Sequence, residues 1–240
     1  MPGHSTRTGM PPTLVHAAFG ALFAAALLEA AYSRRALLVV TFAAALPDLD
    51  APLSLLVPGL HGAALHTFLW PLALGGLVYY DTRRDRSWLA GRFGATAPRV
   101  AAVALLAWAL AGTTLDLFNV AAANPVWPLD AMFYSVTGKL EYTTTQGVVQ
   151  TFYNYSPQGM YTHYVGQRGV PPNFCNPNAW NPTCVATPPG GVERISPVVQ
   201  GGWQLLVCVA AVVAAVGRDR LARRERGAVG SAADGEGGAG

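Results

Sequence analysis

The sequence predicts an all-α protein, a polytopic membrane helical bundle of about five transmembrane helices with an irregular extracytoplasmic loop region. Three observations predict it. Five apolar stretches each approach the ~20 residues that a ~30 Å hydrocarbon core demands. Only 12% of the 240 residues are charged and 52% are hydrophobic, whereas roughly a quarter of a soluble domain is charged. Arginines gather in alternate connections, as a repeatedly crossing chain requires. The net charge of +3 comes from arginines flanking apolar segments rather than from a basic stripe with interleaved aromatics. The lipid bilayer is therefore the expected partner, and no nucleic acid is.

The expected spans are residues 14–32, 36–57, 61–80, 100–123 and 198–216, in a single membrane domain of residues 1–217. Pro47 and Pro52 interrupt the second, and Asn124-Pro125 and Trp127-Pro128 follow the fourth, so irregular backbone belongs beside the polar residues, covered by protein or water. Arg34 and Arg35 separate spans one and two. Arg83, Arg84, Arg86, Arg92 and Arg99 lie between spans three and four, and Arg218, Arg220, Arg223, Arg224 and Arg226 follow span five. The other side holds only Arg7, Lys139, Arg168 and Arg194, so the N-terminus is expected outside and the C-terminus in the cytoplasm.

Residues 124–197 form the outer loop. Tyr134, Val136, Leu140 and Tyr142 predict a short hairpin through Gly138, Gln146–Tyr155 reads as a short interfacial helix, and turns are expected from Tyr161 to Pro197. An oxidising exterior would allow a Cys175–Cys184 bridge. Cys208, within span five, reads as packing. Residues 218–240 are a basic and then low-complexity tail, expected to be disordered from Gly227.

Ionisable residues inside apolar spans are costly, about 2.5–3.5 kcal/mol each at mid-bilayer on insertion scales, and so mark function. His16, Asp48, Asp50, His61, His66 and Asp116 all fall toward the outer ends of the first four spans. Glu29, thirteen residues past His16 and therefore ~20 Å along a helix, belongs at the cytoplasmic end. Asp48 and Asp50 would point apart on a regular helix, but Pro47 and Pro52 remove hydrogen bonds and let the backbone unwind so that both converge. Gly62 places His61 in a turn, with His66 on the following helix. Asn119, three residues from Asp116, shares its face and can orient it.

At these residues the chain resembles the membrane-bound metal-dependent hydrolases whose bacterial members include the LexA-regulated inner-membrane hydrolase. Those proteins carry a His in the first span, P-D-x-D in the second, an H-R-G-x-T-H-S-like motif opening the third, and H-x-x-x-D in the fourth. The counterparts here are His16, Pro47-Asp48-Leu49-Asp50, His61-Gly62-Ala63-Ala64-Leu65-His66-Thr67, and Gly112 through Asp116, followed by Trp127-Pro128. The likeness covers roughly residues 13–130, and the long outer loop resembles that of archaeal members. Gly62 replaces an Arg and Gly112 replaces a His; if that His is a ligand, metal binding is weakened or lost.

The resemblance implies hydrolysis of a phosphoester, borne on a lipid in one version, at the outer leaflet. His nitrogen and Asp oxygen suit zinc, and a carboxylate-rich site also admits manganese or magnesium. The expected metal ligands are His16, Asp48, His66 and Asp116. Asp50 is either a bridging ligand to a second metal or the general base, and His61 is the candidate general acid. Two other classes stay open: an ion- or proton-coupled transporter using the same groups, and a non-catalytic relative that binds a partner through its outer loop.

Overall fold

The first apolar stretch becomes α1 (Thr13–Leu27), followed by a 3-10 turn at Glu29–Ala31. Ser33 then accepts a hydrogen bond from the Ala36 amide at 3.1 Å and starts α2 (Arg34–Ala45) as an N-cap. A computed structural model of the chain describes residues 11–57, 59–118, 122–136, 138, 140–150, 154–156, 159–161, 165–169, 178, 180, 182 and 196–236. Pro47 tightens the end of α2 into a 3-10 segment, Leu46–Leu49, which leads into α3 (Asp50–Leu53). Beyond a non-helical stretch come α4 (Leu69–Thr82), α5 (Trp88–Phe93) and α6 (Ala97–Ala107). The helix of α6 widens into a π-helical segment, Trp108–Thr114, and closes with α7 (Leu115–Leu117). A last helix, α8, runs from Gly202 to Glu236, through the region whose composition predicts disorder from Gly227.

Two continuous helical segments, Arg34–Leu53 and Ala97–Leu117, are long and apolar enough to cross a membrane, and α1 is a shorter apolar helix. The third expected span differs most: its helix begins at Leu69 rather than at His61, so His66 lies before the helix and not on it. The molecule is small-residue inside and large-apolar outside. Ala24, Val40, Ala44, Ala107 and Ala111 are buried, while Leu38, Phe42, Leu72, Leu77, Leu206 and Val213 are exposed. In water so large an apolar surface marks an interaction site; in lipid, small interior residues let backbones approach closely. Gly20 shows how closely: a Cβ there would come within 2.6 Å of Ala44 Cβ.

Opposite the aspartates and histidines, arginines tie the helix ends together. Arg99 donates to the Leu27 carbonyl at 2.9 and 2.7 Å and pairs with Glu29 at 2.8 Å. Arg218 donates to the Glu29 carbonyl, and Arg34 grips Asp219 through two nitrogens at 3.2 and 3.0 Å.

The segment expected to form the outer loop is not wholly irregular. It contains β1 (Phe133–Val136), β2 (Leu140–Thr143), β3 (Gly147–Gln150), β4 (Asn154–Ser156), β5 (Gly159–Tyr161) and β6 (Val165–Gly169). The hairpin expected through Gly138 does not form: β1 pairs antiparallel with β6, and β2 pairs with β3 across the turn before Gly147. The interfacial helix expected over Gln146–Tyr155 is replaced by β3 and β4, the latter paired with β5. Alternation of Val and Tyr with polar residues suits a pleated strand. The Cys175–Cys184 bridge and Asn119 lie outside the described residues.

Candidate metal centre

Three backbone devices bring the polar residues together. The 3-10 segment at Leu46–Leu49 carries Asp48, and Asp50 opens α3 directly after it. The stretch from His61 to Phe68 is held as a loop by indole donors: Trp70 Nε1 reaches the Ala64 carbonyl and Trp108 Nε1 the Leu65 carbonyl, both at 2.9 Å. From above, the Asn124 amide donates to the Gly62 carbonyl at 2.7 Å, and the Pro125 carbonyl accepts from the Phe68 amide and the Thr67 hydroxyl. Ala63 of this loop is buried against Ala122 and Phe133. Gly62 has φ 81, a left-handed conformation that an arginine side chain would strain. The third device is the π-helical turn before Asp116; such turns are rare and concentrate at functional sites.

Four side chains converge. His16 Nε2 lies 3.9 Å from Asp48 Oδ1 and 3.6 Å from Asp116 Oδ1, while His66 Nε2 lies 3.6 Å from Asp48 Oδ1 and 2.6 Å from Asp116 Oδ2. Ligand atoms of His16, Asp48 and Asp116 all fall within 4.8 Å of one another, which makes the three a group able to hold a metal. His16, His66 and Asp116 are buried, and Asp48 keeps 13% of its side chain exposed.

Asp50 is used differently from Asp48. One of its oxygens accepts from His61 Nδ1 at 2.8 Å and the Gly62 amide at 3.4 Å; the other accepts from His66 Nδ1 at 2.8 Å and the Leu65 amide at 3.3 Å. An ionised carboxylate only accepts, so each imidazole presents a protonated Nδ1 to Asp50 and turns its Nε2 away from it. The two aspartates therefore do not meet at one point but take opposite edges of the same His66 ring. His61 stacks edge-on against that ring with centroids 5.9 Å apart, and its Nε2 is not among the atoms drawn into the cluster.

Hydrogen bonding leaves this cluster incomplete. His66 Nε2 and both carboxylate oxygens of Asp116 are buried without a hydrogen-bond partner; the 2.6 Å approach between them lacks hydrogen-bonding alignment. Two such groups need a proton, a water or a cation to be tolerated. His16 poses the same problem. Its Nδ1 contacts the Ala111 carbonyl, and its Nε2 is ringed by oxygens: Pro11 carbonyl at 3.1 Å and the two carboxylates. A nitrogen surrounded by oxygens requires positive charge, its own proton or a shared cation. Two imidazole nitrogens and two carboxylates form a donor set that zinc accepts. Ligands around zinc stand about 3.3 Å apart at tetrahedral edges with ~2.0–2.1 Å bonds, close to the separations found here.

Several groups that build this centre escape a reading of the sequence. Trp70 in an apolar span reads as an interfacial belt residue, and Trp108, Asn124 and Thr67 carry no signal of their own beyond the Asn124-Pro125 stop. A family model described as YdjM inner membrane protein matches residues 10–167, a segment that contains every residue of the cluster. No curated protein and no solved structure matches the chain.

Proposed function

The chain belongs to the YdjM inner membrane protein family, and in that membrane setting we propose that the buried cluster is the centre of a metal-dependent hydrolase. Its substrate would be a phosphoester presented at the outer leaflet, on a lipid or beside one. The observation carrying this reading is the set of orphaned atoms, His66 Nε2 and Asp116 Oδ1 and Oδ2, facing His16 and Asp48. In the same reading α1, α4 and α8 also cross the bilayer, with the N-terminus outside. The exposed Leu205, Leu206, Val209, Val212 and Val213 of α8 support that placement.

In this mechanism His16, Asp48, His66 and Asp116 hold the ion, zinc first by donor type and manganese or magnesium by carboxylate content. When bound, the metal supplies an acidified water and polarisation of the ester oxygen. The protein supplies the rest. Asp50 fixes the His66 tautomer so that Nε2 points into the cluster, the role a carboxylate behind a ligating histidine commonly plays. It likewise accepts from His61 Nδ1, so a second proton, carried on His61 Nε2, would be the one delivered to the departing alkoxide, leaving that nitrogen with its lone pair. Asp50 is thus assigned a positioning role instead of bridging a second metal.

Elemental analysis of detergent-purified protein tests the first step, and hydrolysis of bis(p-nitrophenyl) phosphate the second. Retained metal in the wild type, its loss in Asp116→Asn, and a fall in rate of at least about a hundredfold in Asp48→Asn and His66→Ala are expected. Metal-free wild type, or unchanged rates in both variants, would leave the non-catalytic reading in its place.

A further inference from the structure

Between α4 and α6 runs an apolar groove of about 560 Å³, within the range of small-molecule sites. Its walls include Leu72, Gly75 and Val78 on α4 and Ala102 and Leu106 on α6. One end is closed by Phe68 and Ala109, the other by Thr82 and Arg99. The first end lies beside the loop that carries His66: Phe68 stands two residues past His66, and Ala109 follows Trp108, whose indole donates to the Leu65 carbonyl. The groove follows the whole of α4, fourteen residues, so it is longer than the ~15 Å of one leaflet.

Gly75 keeps this space open. A Cβ built there meets no heavy atom within 4 Å, and a glycine in mid-helix is otherwise a poor choice. We propose that the groove takes the single long hydrocarbon tail of a lipid whose phosphate end reaches the His16, Asp48, His66 and Asp116 cluster. This rests on the phosphoester reading above and narrows it to a lipid-borne substrate. A second groove of about 590 Å³, lined by Leu74, Leu77, Trp88 and Ala101, lies against the same helices but includes neither Phe68 nor Ala109 at the His66 end. A tail seated beside Gly75 is directed along α4, so its head is delivered at the Phe68 end.

Adjacent glycines provide the test. Gly76 also has empty space at its Cβ but does not line the groove, so Gly75→Leu fills the channel while Gly76→Leu is a control in the same helix. Both replacements favour helix. The probe is hexadecyl phosphate with a diazirine at its far end, photolysed in phosphatidylcholine nanodiscs, with labelled peptides mapped. Wild type and Gly76→Leu should be labelled near Val78–Thr82 and Pro98–Ala102, and Gly75→Leu should lose that labelling. Equal labelling of both variants, label spread evenly onto α8, or identical labelling by the corresponding hexadecanol would overturn the proposal. Hydrolysis of the soluble bis(p-nitrophenyl) phosphate should be the same in wild type and Gly76→Leu. Labelling reports the groove and soluble-ester hydrolysis reports the chemistry, so the two readings fail separately.

Discussion

The Pro47 ring stands where a side chain on Gly112 would have to go. A Cβ at position 112 would lie 2.5 Å from Pro47 Cγ and 3.1 Å from the Ala44 carbonyl oxygen. The histidine that the family resemblance expects there has no room, and the imidazoles facing Asp116 come instead from α1 and from the loop before α4. Gly112→His should therefore destabilise the protein by about 1–3 kcal/mol through overpacking, and adding Pro47→Ala should recover part of the loss. Chemical unfolding in detergent checks both.

Asp50→Asn keeps the shape of the side chain but weakens its hold on two imidazoles. Outer partners of ligating histidines are worth about 10–100-fold in metal affinity, so zinc affinity measured by competition with a chelator should fall by that amount. Asp116→Asn, which alters a proposed ligand itself, should cost more. Equal affinity in Asp50→Asn and wild type would remove the positioning role.

Gly62 at φ 81 carries no Cβ for good reason. Gly62→Ala should cost about 1–3 kcal/mol of stability and shift His61 relative to Asp50. An NMR signal from the His61 ring, compared between variants, reads the displacement directly.

Arg34, with help from Arg223, holds the Asp219 carboxyl below the usual carboxylate range. Because its folded value lies below the unfolded ~3.9, the contribution to stability is complete above that pH and disappears as pH falls through the folded value. The thermal midpoint in detergent should drop more steeply below about pH 4 in wild type than in Asp219→Asn, which starts lower and lacks this component. The pair is partly exposed, so high salt should flatten the difference.

Some of this architecture can be read directly from residue order. The helices Arg34–Leu53 and Ala97–Leu117 announce themselves as apolar runs beside arginines, while the backbone expected to unwind between Pro47 and Pro52 instead tightens into a 3-10 segment and continues as helix. His66 is different. Its place before α4 depends on Trp70 and Trp108 donating to the carbonyls of Ala64 and Leu65, and the second of these bonds comes from a distant helix and leaves no local pattern. Strand pairing was hidden for the same reason: β1 finds β6 across some thirty intervening residues rather than the neighbour that Gly138 advertises. The division of labour between Asp48 and Asp50 needed coordinates too, since proline spacing predicts loosened backbone but not which edge of an imidazole each carboxylate meets.

In the proposed placement, with α4 crossing the bilayer, its shortness would affect the surrounding lipid. Its fourteen residues measure about 21 Å against a hydrocarbon core of ~30 Å. A bilayer meeting that flank has to thin, and mismatch of this kind draws headgroups inward at a modest energetic cost. In that placement the dimple would form beside the loop that carries His61 and His66, and the membrane itself would shorten the path by which a phosphate descends to the buried carboxylates.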